Sequence, residues 1–460
     1  MYQSRYRTHS SCSISVNYGG VVRSEGARVL TRGRKSTQRE RLMAGVLAIV
    51  DREGYASANV SRIITEAGVS RPTFYEYFAD KDDCFLATLS DVHKRLIARV
   101  RRAIDARPPE LALQASLGAI VEFASAEPVR ALFLTSRAMG AGPMALDARD
   151  DGIRQIEQII DEAHALVSPT TPIPDVSPRI LVGGVYRLLA SRLRRGEPSL
   201  MRVIDDLSTW VASYARPAGR QRWQSLESTP AGSPPRGLGP GPLPAPSSLP
   251  ARARGSSAEH LAANRRQRIL YAAAQLAETK GYNATTIADV TRLAGVDGRA
   301  FYAAFADKQD AFMAVHELGV QQVMSATAAA FFTGASWPER MWAAGRALAG
   351  FLDDNPMIAH VGFVEAYAVG PGAVQRVEDS HVTFTIFLQE GYHHQPTRTP
   401  PSRLALEATI TSIFEIVYLQ ARGGRQPRVS AMLGPMAFLA LAPFMGAEAA
   451  TRFIDRQARA

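Results

Sequence analysis

Apolar residues at Leu42, Val46, Ile49 and Val50 fall at i, i+4, i+7 and i+8, the stripe along one face of an amphipathic helix. The same stripe returns at Ile269, Ala273, Leu276 and Ala277, displaced by 227 positions. Behind each copy stands a Gly-Tyr pair, Gly54-Tyr55 and Gly281-Tyr282. Farther on, Ala67-Gly68-Val69, Phe74-Tyr75 and Phe78-Ala79-Asp80-Lys81 reappear in register as Ala294-Gly295-Val296, Phe301-Tyr302 and Phe305-Ala306-Asp307-Lys308. Helical periodicity continues over Leu86 to Ile104, Leu111 to Phe123, Val129 to Ala138, Ile153 to Leu166, Ile180 to Leu193 and Leu200 to Tyr214, with breaks at Pro and Gly. The second half follows this plan at an offset of 228, with Glu127-Pro128 on Asn355-Pro356, Gly142-Pro143 on Gly370-Pro371 and Gly196 on Gly424. A repeat this long is a whole domain rather than a stacking unit. The predicted fold is all-α, two tandem units, each a short helical module followed by a larger helical domain.

The pattern lapses in two places. Residues 1–35 carry Arg5, Arg7, Arg23, Arg28, Arg32, Arg34 and Lys35 against the single acid Glu25, and read as a disordered basic arm. Between 216 and 258 the composition turns to Pro, Gly, Ser and Ala, which reads as an extended linker long enough to let the halves lie side by side. The predicted divisions are therefore 1–35, 36–85, 86–215, 216–258, 259–312 and 313–460. The net charge of +10 favours a polyanionic partner without identifying it. Cys12 and Cys84, 72 positions apart, offer neither a disulfide framework nor a zinc ligand set. With no apolar run of eighteen residues and no secretion signal, the expected setting is cytoplasmic.

Within the first short module, Asn59 to Glu66 reads as a helix, Gly68 as the turn, and Ser70 as the cap of a second helix reaching Phe78. Pro72 sits in the first turn, where a missing N–H has no intrahelical partner to lose. Phe74 and Phe78, four apart, face inward, which leaves Arg71, Thr73, Tyr75 and Tyr77 on or beside the outer flank. Such a helix can enter a DNA major groove, offering Arg to guanine and the Thr methyl to thymine. Tyr hydroxyls, Lys81 and the helix N-terminus suit phosphate oxygens. Arg32-Gly33-Arg34-Lys35 is a candidate minor-groove arm, and the linker's Arg252 and Arg254 are weaker candidates for DNA contact.

Gly54-Tyr55, the run from Ala67 to Phe78 and Asp80-Lys81-Asp82-Asp83 resemble the DNA-binding signature of the TetR family of bacterial transcriptional regulators. The resemblance implies operator contact by Ser70, Arg71, Thr73, Tyr75, Tyr77 and Lys81. It further implies a small-molecule effector held in the larger helical domain, a dimer interface made by the last two helices, and repression relieved by the effector in the bacterial cytoplasm, nucleoid-associated when bound. No cofactor is expected.

The second copy departs from the signature. It keeps the inward Phe301 and Phe305, but Ser70, Arg71, Thr73 and Tyr77 become Asp297, Gly298, Ala300 and Ala304. Arg299, Tyr302 and Lys308 remain as candidate contacts. Asp297 brings a charge unfavourable to phosphate, although it also makes a good helix cap. Candidate effector-pocket residues are Phe133, Met139 and Tyr186 in the first half, and Met357, Phe363 and Tyr367 in the second. His393-His394, with His381 upstream, lacks the companions of a metal site, and no catalytic constellation stands out, so no enzyme is expected. Two architectures compete. In one, the halves pair within a chain as a pseudodimer, setting Leu200, Val203, Ile204, Leu207 and Val211 against Met432, Leu433, Met436 and Leu439. In the other, two chains pair through their first halves while the second half senses or scaffolds. A ligand-binding scaffold without DNA affinity is the alternative from another class.

Overall fold

The computed structural model describes residues 37–197, 199–226, 245–246, 257–394, 400–423 and 428–459. The basic arm, Arg252 and Arg254 lie outside them. The fold is all-α in two tandem units. The first unit runs through α1 (Gln38–Glu53), α2 (Val60–Ala67), α3 (Arg71–Tyr77), α4 (Lys81–Asp105), α5 (Ala112–Ala126), α6 (Pro128–Thr135), α7 (Pro143–His164), α8 (Pro178–Arg194) and α9 (Val203–Ala212). The second continues with α10 (Ala258–Lys280), α11 (Ile287–Ala294), α12 (Gly298–Ala304), α13 (Lys308–Phe331), α14 (Trp337–Asp354), α15 (Pro356–Phe363), α16 (Pro371–Thr383), α17 (Thr385–Gln389), α18 (Arg403–Arg422), α19 (Leu433–Met445) and α20 (Ala447–Arg459). The helix starts obey the same local chemistry in both copies. Side chains of Asn59, Ser70 and Asp80 cap α2, α3 and α4, and their repeat-mates Thr286, Asp297 and Asp307 cap α11, α12 and α13.

Two differences from the sequence pattern follow from packing. Helix α7 starts at Pro143, ten residues before its apolar stripe, because Gly142 at φ 96° turns the chain and Pro143 suits a first turn. The stretch after α9 is folded rather than linker-like. Ala215–Pro217 pairs antiparallel with Pro172–Pro174, Arg216 Nη1 donates to Asp175 at 2.7 Å, and Trp223 stacks on Phe438 of the second unit with centroids 5.7 Å apart.

The two units meet mainly along α8 and α18. Helix α18 is apolar enough by length and composition to cross a membrane, but 78% of its most apolar stretch is buried inside the protein. Gly183 and Gly184 permit the close crossing, because a Cβ on either would collide with Glu415 or Ser412. The anticipated apolar stripes serve mostly their own units. Helix α9 and the turn before it, with Leu200, Val203, Ile204, Leu207 and Val211, pack against α5 of their own unit, and α9 also packs against α18. Met432, Leu433, Met436 and Leu439 belong to the segment that packs on α14, where Leu433 Cδ1 lies 3.1 Å from the Cβ position of Gly345. Across the interface, Trp210 Nε1 donates to Thr409 Oγ1 at 2.9 Å and Tyr214 Oη to the Leu439 carbonyl at 3.1 Å.

A charge cluster lies at the centre of this contact. Glu415 on α18 accepts from Arg149 Nη1 at 3.0 Å, Arg149 Nη2 at 3.3 Å and Arg187 Nε at 2.8 Å. Arg149 also reaches Asp150 at 2.9 Å, and Tyr418 Oη donates to Asp150. None of the three central side chains is more than 4% exposed. Burial alone would raise the Glu415 carboxyl, yet the two guanidinium groups hold it below its ordinary value.

Candidate nucleic-acid interface

In the first module, α1 supports α2, and α2 turns into α3 at Gly68, which adopts φ 61° and ψ 44°. A residue with a Cβ is strained there. Arg41 Nη2 donates to the Gly68 carbonyl at 2.6 Å and so clamps the turn from α1. Ser70 Oγ accepts from the Thr73 amide at 3.2 Å and lies 2.8 Å from Thr73 Oγ1, which orders the first turn of α3. Phe74 and Phe78 are buried, with ring centroids 5.9 Å apart, and anchor the helix from beneath. Tyr75 and Tyr77 are 52% and 40% exposed, large aromatic surfaces on so short a helix. Arg71 is exposed and donates to Ser61 Oγ on α2 at 2.7 Å. The structure therefore gathers Ser70, Arg71, Thr73, Tyr75 and Tyr77 on one helix.

Lys81 stands apart from that helix. Its Nζ lies 4.2 Å from the centroid of the Tyr55 ring, and Tyr55 Oη donates to Asp82. This contact accounts for the recurring Gly-Tyr pair, because Lys308 sits 4.0 Å over Tyr282 in the second module. Lys308 is bound further: its Nζ donates to the Tyr282 and Thr285 carbonyls at 2.9 and 3.0 Å, and burial lowers its pKa. As the side chain stands, its ammonium is committed to the module's own backbone rather than presented outward.

The second module retains the frame and changes the face. Phe301 and Phe305 are buried, Gly295 repeats the turn at φ 60°, and Asp297 accepts from the Ala300 amide at 2.7 Å. Arg299 and Tyr302 are exposed, Tyr302 at 62%. Gly298 leaves empty space where Arg71 stands in the first copy.

Each module is held to its larger domain at one equivalent position. Arg137 Nη2 donates to the Asp51 carbonyl at 2.9 Å near the end of α1, and Glu365, its counterpart at the offset of 228, accepts from the Tyr282 amide at 2.6 Å. The turns bearing them, Arg137–Gly140 and Glu365–Ala368, touch each other across the two units. A Cβ on Gly140 would lie 2.6 Å from the Tyr367 carbonyl oxygen. This link between the heads escapes periodicity, because neither a lone Arg nor a lone Glu announces a partner.

Of the candidate pocket residues, Phe133, Met139 and Tyr186 are closely packed core, with Phe133 4.7 Å from the Phe85 ring. Met357 packs partly buried against the core. Phe363 lines a cavity in the second unit, whereas Tyr367 lines the cleft between units, where its hydroxyl accepts from Arg187 Nη1 at 2.6 Å. His381 is buried and stacks on Phe363, while His394 packs on Trp337. Among the described residues, no three His, Cys, Asp or Glu side chains gather as metal ligands would.

A module that turns on a left-handed glycine and presents a capped, Tyr-bearing second helix has the layout of a helix-turn-helix DNA reader. The family model for bacterial regulatory proteins of the tetR family matches residues 46–88 and again 269–315. Among curated proteins, the HTH-type transcriptional regulator BetI of Ectopseudomonas mendocina is 35% identical over 88 residues, 18% of this chain and 45% of that protein. BetI 2 of Chromohalobacter salexigens is 35% identical over 94 residues, 20% of this chain and 43% of that protein. The chain thus spans less than half the length of these relatives. Among solved structures, the fatty acid degradation regulator FadR from Bacillus halodurans aligns at 13% identity over 38% of this chain and 97% of its own, with a TM-score of 0.33. A bacterial regulatory protein of the tetR family from Rhodococcus RHA1 aligns at 20% identity over 42% of this chain and 95% of its own, with a TM-score of 0.31. The chain thus carries, twice, a module matching the family model for bacterial regulatory proteins of the tetR family.

Proposed function

We propose that one chain binds one operator as a pseudodimer and represses transcription until a small-molecule effector releases it. One observation carries this reading. Arg187 and Glu415 occupy the same position in the two halves, related by the offset of 228, and they bond to each other. Where like halves meet about a twofold axis, a residue on the axis faces its own copy. Two first halves would bring Arg187 against Arg187 with no carboxylate from position 415, leaving buried cations poorly paired. Opposite charges at this position favour pairing of unlike halves, which a single chain supplies.

Such a protein presents two different reading helices to DNA, one from each module. Its half-sites lie about 34 Å apart and need not be palindromic. In the first module, Arg71 and Thr73 read base edges, and Ser70, Tyr75, Tyr77 and Lys81 hold phosphates. In the second, Arg299 and Tyr302 are the available contacts, with Lys308 supporting the frame. Gel shift with the DNA flanking the chain's own coding region tests the reading. A specific complex should form, and its affinity should fall about a thousandfold or more between about 50 and 200 mM salt if about six phosphates are neutralised. Binding that ignores salt, or no preference over random DNA, would sink it.

A further inference from the structure

The second unit contains a narrow apolar cavity between α13, α14, α15, α16 and α18. It is partly open to solvent. Val320, Phe363, Phe384 and Phe414 supply apolar walls, and His316 and His381 are the imidazoles that line it. His316 is 5% exposed, and its Nδ1 finds no hydrogen-bond partner among the described residues. A buried nitrogen of this kind, lining an unfilled space, lacks a partner that a ligand can provide.

The corresponding region of the first unit is differently built. His316 corresponds to Leu89 and Val320 to His93 at the offset of 227, while Ser380, His381 and Phe414 correspond to Gly152, Ile153 and Tyr186 at 228. There the His93 imidazole lies so close to Gly152 that a Cβ would collide with it. Leu89, Ile153 and Tyr186 are buried. His93 thus fills the space beside Gly152 in the first unit.

We infer that the second unit alone holds the effector, one molecule per chain, and that this molecule is uncharged, largely apolar and carries one hydroxyl or carbonyl group that meets His316 Nδ1. The inference rests on the regulatory reading above only for what the ligand does once bound. The chemical class follows from the lining. No Lys, Arg, Asp or Glu side chain borders the cavity, so a charged ligand would be buried without a counter-ion. Burial brings the His316 imidazole down to about 4, with Arg376 adding to the effect, so the ring is neutral near pH 7. A neutral ring offers one donor and one acceptor, enough for a single polar group. The cavity also adjoins the pairing surface, since Phe414 precedes Glu415 and His381 lines both this cavity and the cleft between units.

Calorimetric titration of the full chain without DNA tests this with three probes of one ring size, phenol, benzoate and toluene. Phenol should bind at one molecule per chain and benzoate at least about tenfold more weakly. His316→Leu should cost phenol about tenfold while leaving toluene unchanged. Val320→His with Ser380→Gly, which writes the first unit's His93–Gly152 contact into the second, should abolish phenol binding while circular dichroism shows the fold retained. Two phenols per chain, benzoate as tight as phenol, phenol indifferent to His316→Leu, or no saturable phenol binding would each overturn the inference. Failure of the chain to bind DNA would leave these results standing and count against the regulatory reading alone.

Discussion

A chain carrying Arg187→Glu and a chain carrying Glu415→Arg are each expected to lose the closed monomer, while an equimolar mixture regains pairing as a two-chain assembly. The first substitution adds a carboxylate to those of Glu415 and Asp150 around Arg149, and the second sets three guanidinium groups together in a space no more than 4% exposed. Breaking a buried ion pair by altering one partner costs about 3–5 kcal/mol, a large share of the stability of most domains. In the mixture, the first half of one chain meets the second half of the other, and both junctions recover two guanidinium groups around one carboxylate. The double substitution within one chain should likewise restore the monomer, with a thermal midpoint above that of either single variant. Light scattering and thermal unfolding decide the matter. A double variant no more stable than the worse single one, or a mixture that never assembles, would show that the cluster fills space without selecting the partner.

The second large effect concerns the reading heads. Arg71→Ala should weaken operator binding by about 1–3 kcal/mol and relax preference at one base pair, because a guanidinium offered to a base edge both binds and discriminates. Tyr77→Ala should weaken binding across all sequences, since a hydroxyl on phosphate positions the helix without reading it. Arg299→Ala and Tyr302→Ala should act on the other half-site only. Gel shifts on operators mutated one half at a time separate the four variants. If Arg71→Ala and Tyr77→Ala leave affinity intact while the second-module changes abolish it, the leading head has been assigned to the wrong half.

The short modules were largely legible in the sequence because their chemistry is local. Asn59, Ser70 and Asp80 cap helices within three residues, Gly68 takes the left-handed turn, and Phe74 and Phe78 share a face at i and i+4. The partnership of the halves was not legible in the same way. Helices α8 and α18 are buried on most sides, so their apolar residues give no single stripe, and the apolar faces of α9 and α19 drew attention while serving mostly their own units. Arg187 and Glu415 lie 228 positions apart, and no local pattern pairs them. Lys308 illustrates a further limit. The motif counts it as a contact, yet two backbone carbonyls and the Tyr282 ring take up its ammonium. Candidate pocket residues were hardest to read, since aromatic core and cavity wall have the same composition; of the six, Phe363 lines the cavity in the second unit.

The central claim is that one chain supplies both halves of the DNA-binding unit. The most direct test is the protein mass bound to a single operator duplex, measured by light scattering on the purified complex. The account expects one chain of 49.9 kDa per duplex. Two chains on every operator would contradict it.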